Sequence, residues 1–225
     1  MKLLPYAKLG LFGATVGPLV DSIHNQVLLQ YDVLPIEALG LKTSLLIPPL
    51  LCAAYVVLGG LLPQLARRFI GDEKRMLGDP QPFADQPQLR ALIAVLSTCV
   101  IIKLSEVLTA SAISNTITLL LLTLLALVQF VALDGAYSSL FIATIAGLGG
   151  PLAELPFTFY GAWHYINPDY FPLDFLAPSG HESLGLSSIT GPCYAVVTTD
   201  AIALGKAFGV GHRQDKSNRL IGETD

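Results

Sequence analysis

Apolar residues along this chain gather into long blocks instead of alternating or recurring every third or fourth position. A bilayer-crossing helix needs about 20 consecutive, mostly apolar residues, and five blocks meet that length plainly: 41–63, 90–112, 114–133, 137–160 and 184–208. A sixth, 5–29, is apolar from Leu9 to Val20 and then carries Asp21, His24, Asn25 and Gln26 before Val27-Leu28-Leu29. It lacks the small-residue cleavage site that a signal peptide would place after its apolar core. The pattern therefore predicts an all-α membrane bundle of six spans in one domain, 5–208, followed by a polar cytoplasmic tail, 209–225. The longest polar stretch between spans, 64–89, holds Gly71-Asp72-Glu73-Lys74-Arg75 and three prolines (Pro80, Pro82, Pro87), and reads as a surface loop.

Basic residues test the count independently. With six spans both termini lie on one side, and 11 of the 13 Lys and Arg residues then fall on that side. Lys42 is on the other, and Lys103 lies within a span. Positive charge marks the cytoplasmic face, so both termini are expected in the cytoplasm. The loop 161–183 has no Lys or Arg but carries Asp169, Asp174 and Glu182, as an outward loop would. Five spans would scatter the same charges over both sides.

Composition narrows the class further. The chain is 52% hydrophobic and only 13% charged, with a mean hydropathy of +0.60. A soluble fold of 225 residues would need more charge to cover its surface, and a disordered chain far less apolar surface. A net charge of −4 offers no basic footprint for nucleic acid. Cys52, Cys99 and Cys193 lie in apolar runs with no metal spacing and read as packing residues.

One stretch is distinctive. The segment Ile47-Pro48-Pro49-Leu50-Leu51-Cys52-Ala53-Ala54-Tyr55-Val56-Val57-Leu58-Gly59-Gly60-Leu61-Leu62-Pro63, followed by Arg67-Arg68, has a proline pair, a run of small and apolar residues, a further proline and a basic loop. It resembles the second span of the Insig (insulin-induced gene protein) family, sterol-responsive membrane proteins of the endoplasmic reticulum. Asp134-Gly135-Ala136-Tyr137-Ser138-Ser139 is similar to that family's aspartate-led turn after the fourth span. Gly161-Ala162-Trp163-His164-Tyr165-Ile166-Asn167-Pro168-Asp169-Tyr170-Phe171 is similar to its segment before the last span, whose ends Pro192-Cys193 and Gly205-Lys206 echo. The resemblance covers residues 15–208 in order. The chain departs from it by an insert around 177–188, and by Val197, Thr198, Thr199 and Asp200 where the family has glycine pairs. It looks like a distant member, prokaryotic or algal. Its membrane would be a plasma or thylakoid-type membrane in the first case, and the endoplasmic reticulum or a plastid membrane in a eukaryote.

What the resemblance implies is a protein that binds a hydrophobic lipid (a sterol, hopanoid or other isoprenoid, or diacylglycerol) between its helices. It would act as a sensor or regulator of a membrane partner and not as an enzyme. Insig proteins need the aspartate matching Asp134 to engage partners, so Asp134 is the expected partner-binding residue. A homo-oligomer is compatible with this. The rival reading is a small transporter, because charged pairs and broken helices also mark transport paths, although the two halves show no repeat. A lipid-modifying membrane enzyme ranks below it.

The residues themselves add ligand-binding candidates. Pro48 and Pro49 within the second span would free carbonyls for a polar group. Lys103 and Glu106, three apart on one helix face, either pair structurally or line a polar cavity. Glu154 stands among Gly149, Gly150, Pro151 and Pro156, where a carboxyl suits recognition of a lipid hydroxyl or ester. Asp200 in the last span is similar. Asp21 and His24 share a face and read as a polar pair near the outer interface. His164, Asp169, Asp174, His181 and Glu182 are metal-accepting types, but no zinc-binding helix motif spaces them, so neither a metal nor another cofactor is expected.

The topology is open to direct test. A cysteine introduced at Ser217 should label only from the cytoplasmic side and one at Ser179 only from the opposite side. Labelling of both from one side would refute the even span count.

Overall fold

The computed structural model describes residues 3–70, 75, 76, 83, 85–111, 113–173 and 184–210. Most of the tail, together with Lys74, Asp174, Ser179, His181, Glu182 and Ser217, lies outside these residues. The chain is mostly helical. The first block forms α1 (Leu3–Thr15) and α2 (Gly17–His24), hinged at Val16 by a proline in the first turn of α2. The second forms α3 (Ile47–Val56), a π-helical turn (Val57–Leu61) and α4 (Leu62–Ile70). The next two blocks are single helices, α5 (Pro87–Ala110) and α6 (Asn115–Leu133). The fifth is α7 (Tyr137–Ala153) with a short α8 (Leu155–Phe159), and the last is α9 (Thr190–Ala207).

The helical bundle carries a small addition at one end, where four short strands among the described residues form two antiparallel pairs. Strand β1 (Leu29–Tyr31) pairs with β4 (Trp163–Tyr165), and β2 (Pro35–Ala38) with β3 (Leu41–Ser44). In β1 and β4 the outer residues are buried and the middle ones exposed, which is the alternation of a half-buried strand. Lipid tolerates only helices and closed barrels, so such pairs belong beyond the helix ends. The second helix consequently begins at Ile47 and not at Leu41, because 41–44 is spent on β3.

That shift changes the meaning of the proline pair. Pro48 and Pro49 occupy the first turn of α3, where no earlier turn exists to lose a hydrogen bond. They start the helix instead of breaking it. The departure from α geometry lies about two turns further on, at Val57–Leu61, where Gly59 and Gly60 are both buried. A β-carbon at Gly59 would sit 2.8 Å from the Ala201 carbonyl carbon, and one at Gly205 would sit 3.0 Å from that of Gly59. The π turn and α9 therefore meet backbone to backbone, which only small residues allow.

Helix α9 packs against α1, α5, α6, α7 and the π turn. Its buried positions surround it, including Thr198, Thr199 and Asp200. The helical segments Leu3–His24, Ile47–Phe69, Pro87–Ala110, Asn115–Leu133 and Tyr137–Phe159 are each long and apolar enough to cross a membrane; α9 falls short of that composition. Its neighbours replace lipid around it, so it can carry hydroxyls and a carboxylate that a lipid-facing helix could not. At the end opposite the strands, Tyr6 of α1 lies against Gly60, and Lys206 of α9 reaches the end of α6. The start of α1 and the end of α9 thus share one end of the bundle.

Gly59→Val should lower stability by about 1–3 kcal/mol through overpacking, read as an earlier unfolding transition in detergent. Gly149→Ala, with open space where the β-carbon would go, should leave it unchanged.

Candidate functional site

Near the strand-bearing end, a cavity of about 300 Å³ opens between α2, α3, α7 and α9. Leu50, Leu51, Ala54, Ile102 and Val197 give it an apolar wall, while Asp21, His24, Glu154 and Tyr194 face it at the polar end. Local sequence explains the placement. Pro151 and Pro156 bracket Glu154, and the helix stops at Ala153 and restarts at Leu155, with Glu154 at the break. The carboxylate is turned inward. Its Oε1 accepts from the Tyr194 hydroxyl at 2.6 Å, and its Oε2 from the Tyr165 hydroxyl at 2.7 Å and Trp163 Nε1 at 3.2 Å. Strand β4 aims Trp163 and Tyr165 to the same side because they are two residues apart.

Asp21 forms a second polar knot. Its Oδ2 accepts from Asn25 Nδ2 at 2.8 Å and from the Tyr31 hydroxyl at 2.7 Å, and Asn25 also donates to Tyr31 at 2.7 Å. One turn along, His24 Nδ1 lies 2.7 Å from Ser105 Oγ and 4.0 Å from Cys193 Sγ. Burial, reinforced by the Asp21 carboxylate, pushes the Tyr31 hydroxyl far above its ordinary range; burial and Glu154 do the same to Tyr165. Both remain protonated donors at any ordinary pH. Phe157 stacks on Trp163 with ring centres 4.6 Å apart, and Tyr31 meets Trp163 edge-on.

Of the six ligand-binding candidates from the sequence, Glu154 alone lines this cavity, and the polar pair Asp21 and His24 lines it too. Pro48 and Pro49 flank it, half-buried and exposed, with their neighbours Ile47, Leu50 and Leu51 doing the lining. Lys103 and Glu106 pair with each other on the outer face of α5, with side chains 56% and 15% exposed, and line none of the cavities described. Asp200 is 1% exposed between α9 and α3; Tyr55 donates to its Oδ2 at 3.4 Å, and its Oδ1 has no partner among the described residues. Asp134 is also buried, at 4% exposure, and its Oδ1 accepts from Lys206 Nζ at 2.6 Å. That bond ties the α6–α7 turn to α9.

Of the cavity's aromatic donors, Trp163 and Tyr165 enter the sequence reading only as part of the segment 161–171, and Tyr31 and Tyr194 do not enter it. The alternation Trp163-His164-Tyr165 and the spacing of Asp21 and His24 are the signals that point to them. Among the described residues no cluster of three or more His, Cys, Asp or Glu side chains could hold a metal. His164 Nδ1 is 2.7 Å from Asp32 Oδ2 on the surface. Asp169 accepts from the Ser188 N–H and hydroxyl, both at 2.7 Å, as a turn-forming aspartate does. A wider groove of about 460 Å³ runs between α6 and α7 over the small residues Gly191 and Ala195 of α9.

Apolar helices long enough to span a bilayer, packed around a cavity with a buried polar end, define an integral multi-pass α-helical membrane protein. Its fold is Insig-like. The crystal structure of MvINS, a mycobacterial Insig homolog from Mycobacterium vanbaalenii, matches with a TM-score of 0.67 at 17% identity, over 95% of this chain and 98% of that one. The structure of a cross-linked MvINS trimer matches at 18% identity with the same TM-score and coverage. No family model matches the chain, and no curated protein matches its sequence.

Because the Lys103–Glu106 pair lines neither cavity, Lys103→Leu with Glu106→Leu should leave lipid occupancy intact and leave stability in detergent unchanged or raised, since two desolvation penalties vanish together. Loss of bound lipid in that double variant would return the pair to the site.

Proposed function

We propose that this chain is an Insig-like membrane protein that holds one hydrophobic lipid in the cavity between α2, α3, α7 and α9, as a lipid sensor or regulator and not as a catalyst. The observation that carries the reading is the cavity itself. It joins an apolar wall to polar groups gathered at one end. Such a division suits a ligand with an apolar body and a small head. The likeness in fold to an Insig homolog points the same way.

Six membrane crossings with both termini cytoplasmic belong to the same reading. The sidedness of 11 of 13 basic residues supports it, as does the meeting of α1 and α9 at one end. In this arrangement the sixth crossing is α9, sheltered from lipid by the other five. A membrane partner docking at the cytoplasmic end would meet the turn around Gly135 and Tyr137, since the Asp134 carboxylate is engaged by Lys206. Self-association fits as well, and MvINS itself has been crystallised as a cross-linked trimer.

Native mass spectrometry of gently purified protein should show one retained lipid per chain. Ala54→Phe, which fills the apolar wall, should remove it while the protein stays folded and monodisperse. Full occupancy in that variant would place the lipid elsewhere or nowhere.

A further inference from the structure

The polar end of the cavity has spent its donors. Both N–H bonds of Asn25 go to Asp21 and Tyr31; the Tyr31 hydroxyl goes to Asp21; Trp163, Tyr165 and Tyr194 all donate to Glu154. The hydroxyl hydrogen of Ser105 goes to the Ile102 carbonyl at 2.7 Å, so its oxygen receives the hydrogen on His24 Nδ1. This assignment, which keeps both Ser105 bonds, puts the His24 hydrogen on Nδ1 and leaves Nε2 as an acceptor. His24 is 7% exposed, it lines the cavity, and Nε2 has no partner among the described residues. One turn away on the same face of α2, both bonds to Asp21 fall on Oδ2, which leaves Oδ1 as its open oxygen among the described residues. No Lys or Arg lines the cavity.

A buried acceptor without a donor costs free energy that a ligand can recover only by bringing a hydrogen of its own. An ester, ketone or ether oxygen brings none. A phosphate brings negative charge to a cavity that already holds two carboxyl groups. We infer that the cavity selects its ligand by a hydrogen-bond-donating head, a free hydroxyl or an ammonium, received by His24 Nε2 and Asp21, and rejects the capped form of the same chain. This rests on the lipid-binding reading and makes His24 and Asp21 the residues that set its specificity.

Trp163 is the chain's only tryptophan and lines the cavity, so its emission reports occupancy. Lipid-stripped protein in detergent is titrated with dodecan-1-ol, dodecylammonium chloride and dodecyl methyl ether. The alcohol, the ammonium or both should shift Trp163 emission, with the ether at least about tenfold weaker, as one forfeited hydrogen bond predicts. Binding of the alcohol alone would identify a hydroxylated lipid, and of the ammonium alone a cationic amphiphile. His24→Phe should weaken the donor-headed probe to the level of the ether without changing the ether. Equal affinity of the ether and the alcohol for the unaltered protein would overturn donor selection while leaving lipid binding intact. If all three fail to move Trp163 emission, and native lipid is absent from the purified protein, both readings fall. The comparison on the unaltered protein decides the matter even if His24→Phe does not fold.

Discussion

A carboxylate that interrupts a membrane helix must be fed donors from elsewhere, and Glu154 takes its three from two separate segments. Tyr194 comes from α9, and Trp163 and Tyr165 come from β4. Those bonds join the broken fifth helix to the central one and to the strand that follows. They also position what lies around them: β4 is the partner of β1, and β1 carries Tyr31 to Asp21. Buried polar networks of this kind hold one geometry because each member is costly when left alone. The cavity lies beside this network, with Gly150, Glu154 and Tyr194 in its lining.

Helix existence was legible from the length of the apolar blocks, because lipid demands that length whatever the sequence inside it. Helix limits were less so. Leu41 to Ser44 run directly into the apolar block that follows, yet they pair with Pro35–Ala38, since only tertiary placement says where the hydrocarbon ends. The prolines at 48 and 49 look disruptive in a block counted from Leu41 and harmless in a helix starting at Ile47. Glu154 was visible as a charge between prolines, but its partners come from 9 to 40 residues away, and one sequence contains no record of that distance. Lys103 and Glu106 mislead for the opposite reason, because local spacing shows that they pair and not which way they face.

Two kinds of contact hold the bundle, and they sit at different depths. Toward the strands, aromatic rings and hydrogen bonds enclose space. Toward the termini, Gly59, Gly205 and Ala201 bring backbones together and leave almost none. A membrane protein gains little by hiding apolar surface from lipid, so close packing must supply the cohesion at the tight end. The open end can then be kept apart by polar groups without loosening the whole.

The modest hydropathy of α9 has a consequence for how the protein is made. A segment with Thr198, Thr199, Asp200 and Lys206 gains too little from hydrocarbon to leave the translocon unaided. It also follows the five more apolar segments in chain order, so they are already present when it emerges. As a sixth crossing it would enter the bilayer by docking, driven by the glycine contacts and by Tyr55 and Glu154 waiting for their partners. Biogenesis therefore carries its own checkpoint, since a chain whose earlier helices have misassembled offers α9 nowhere to go.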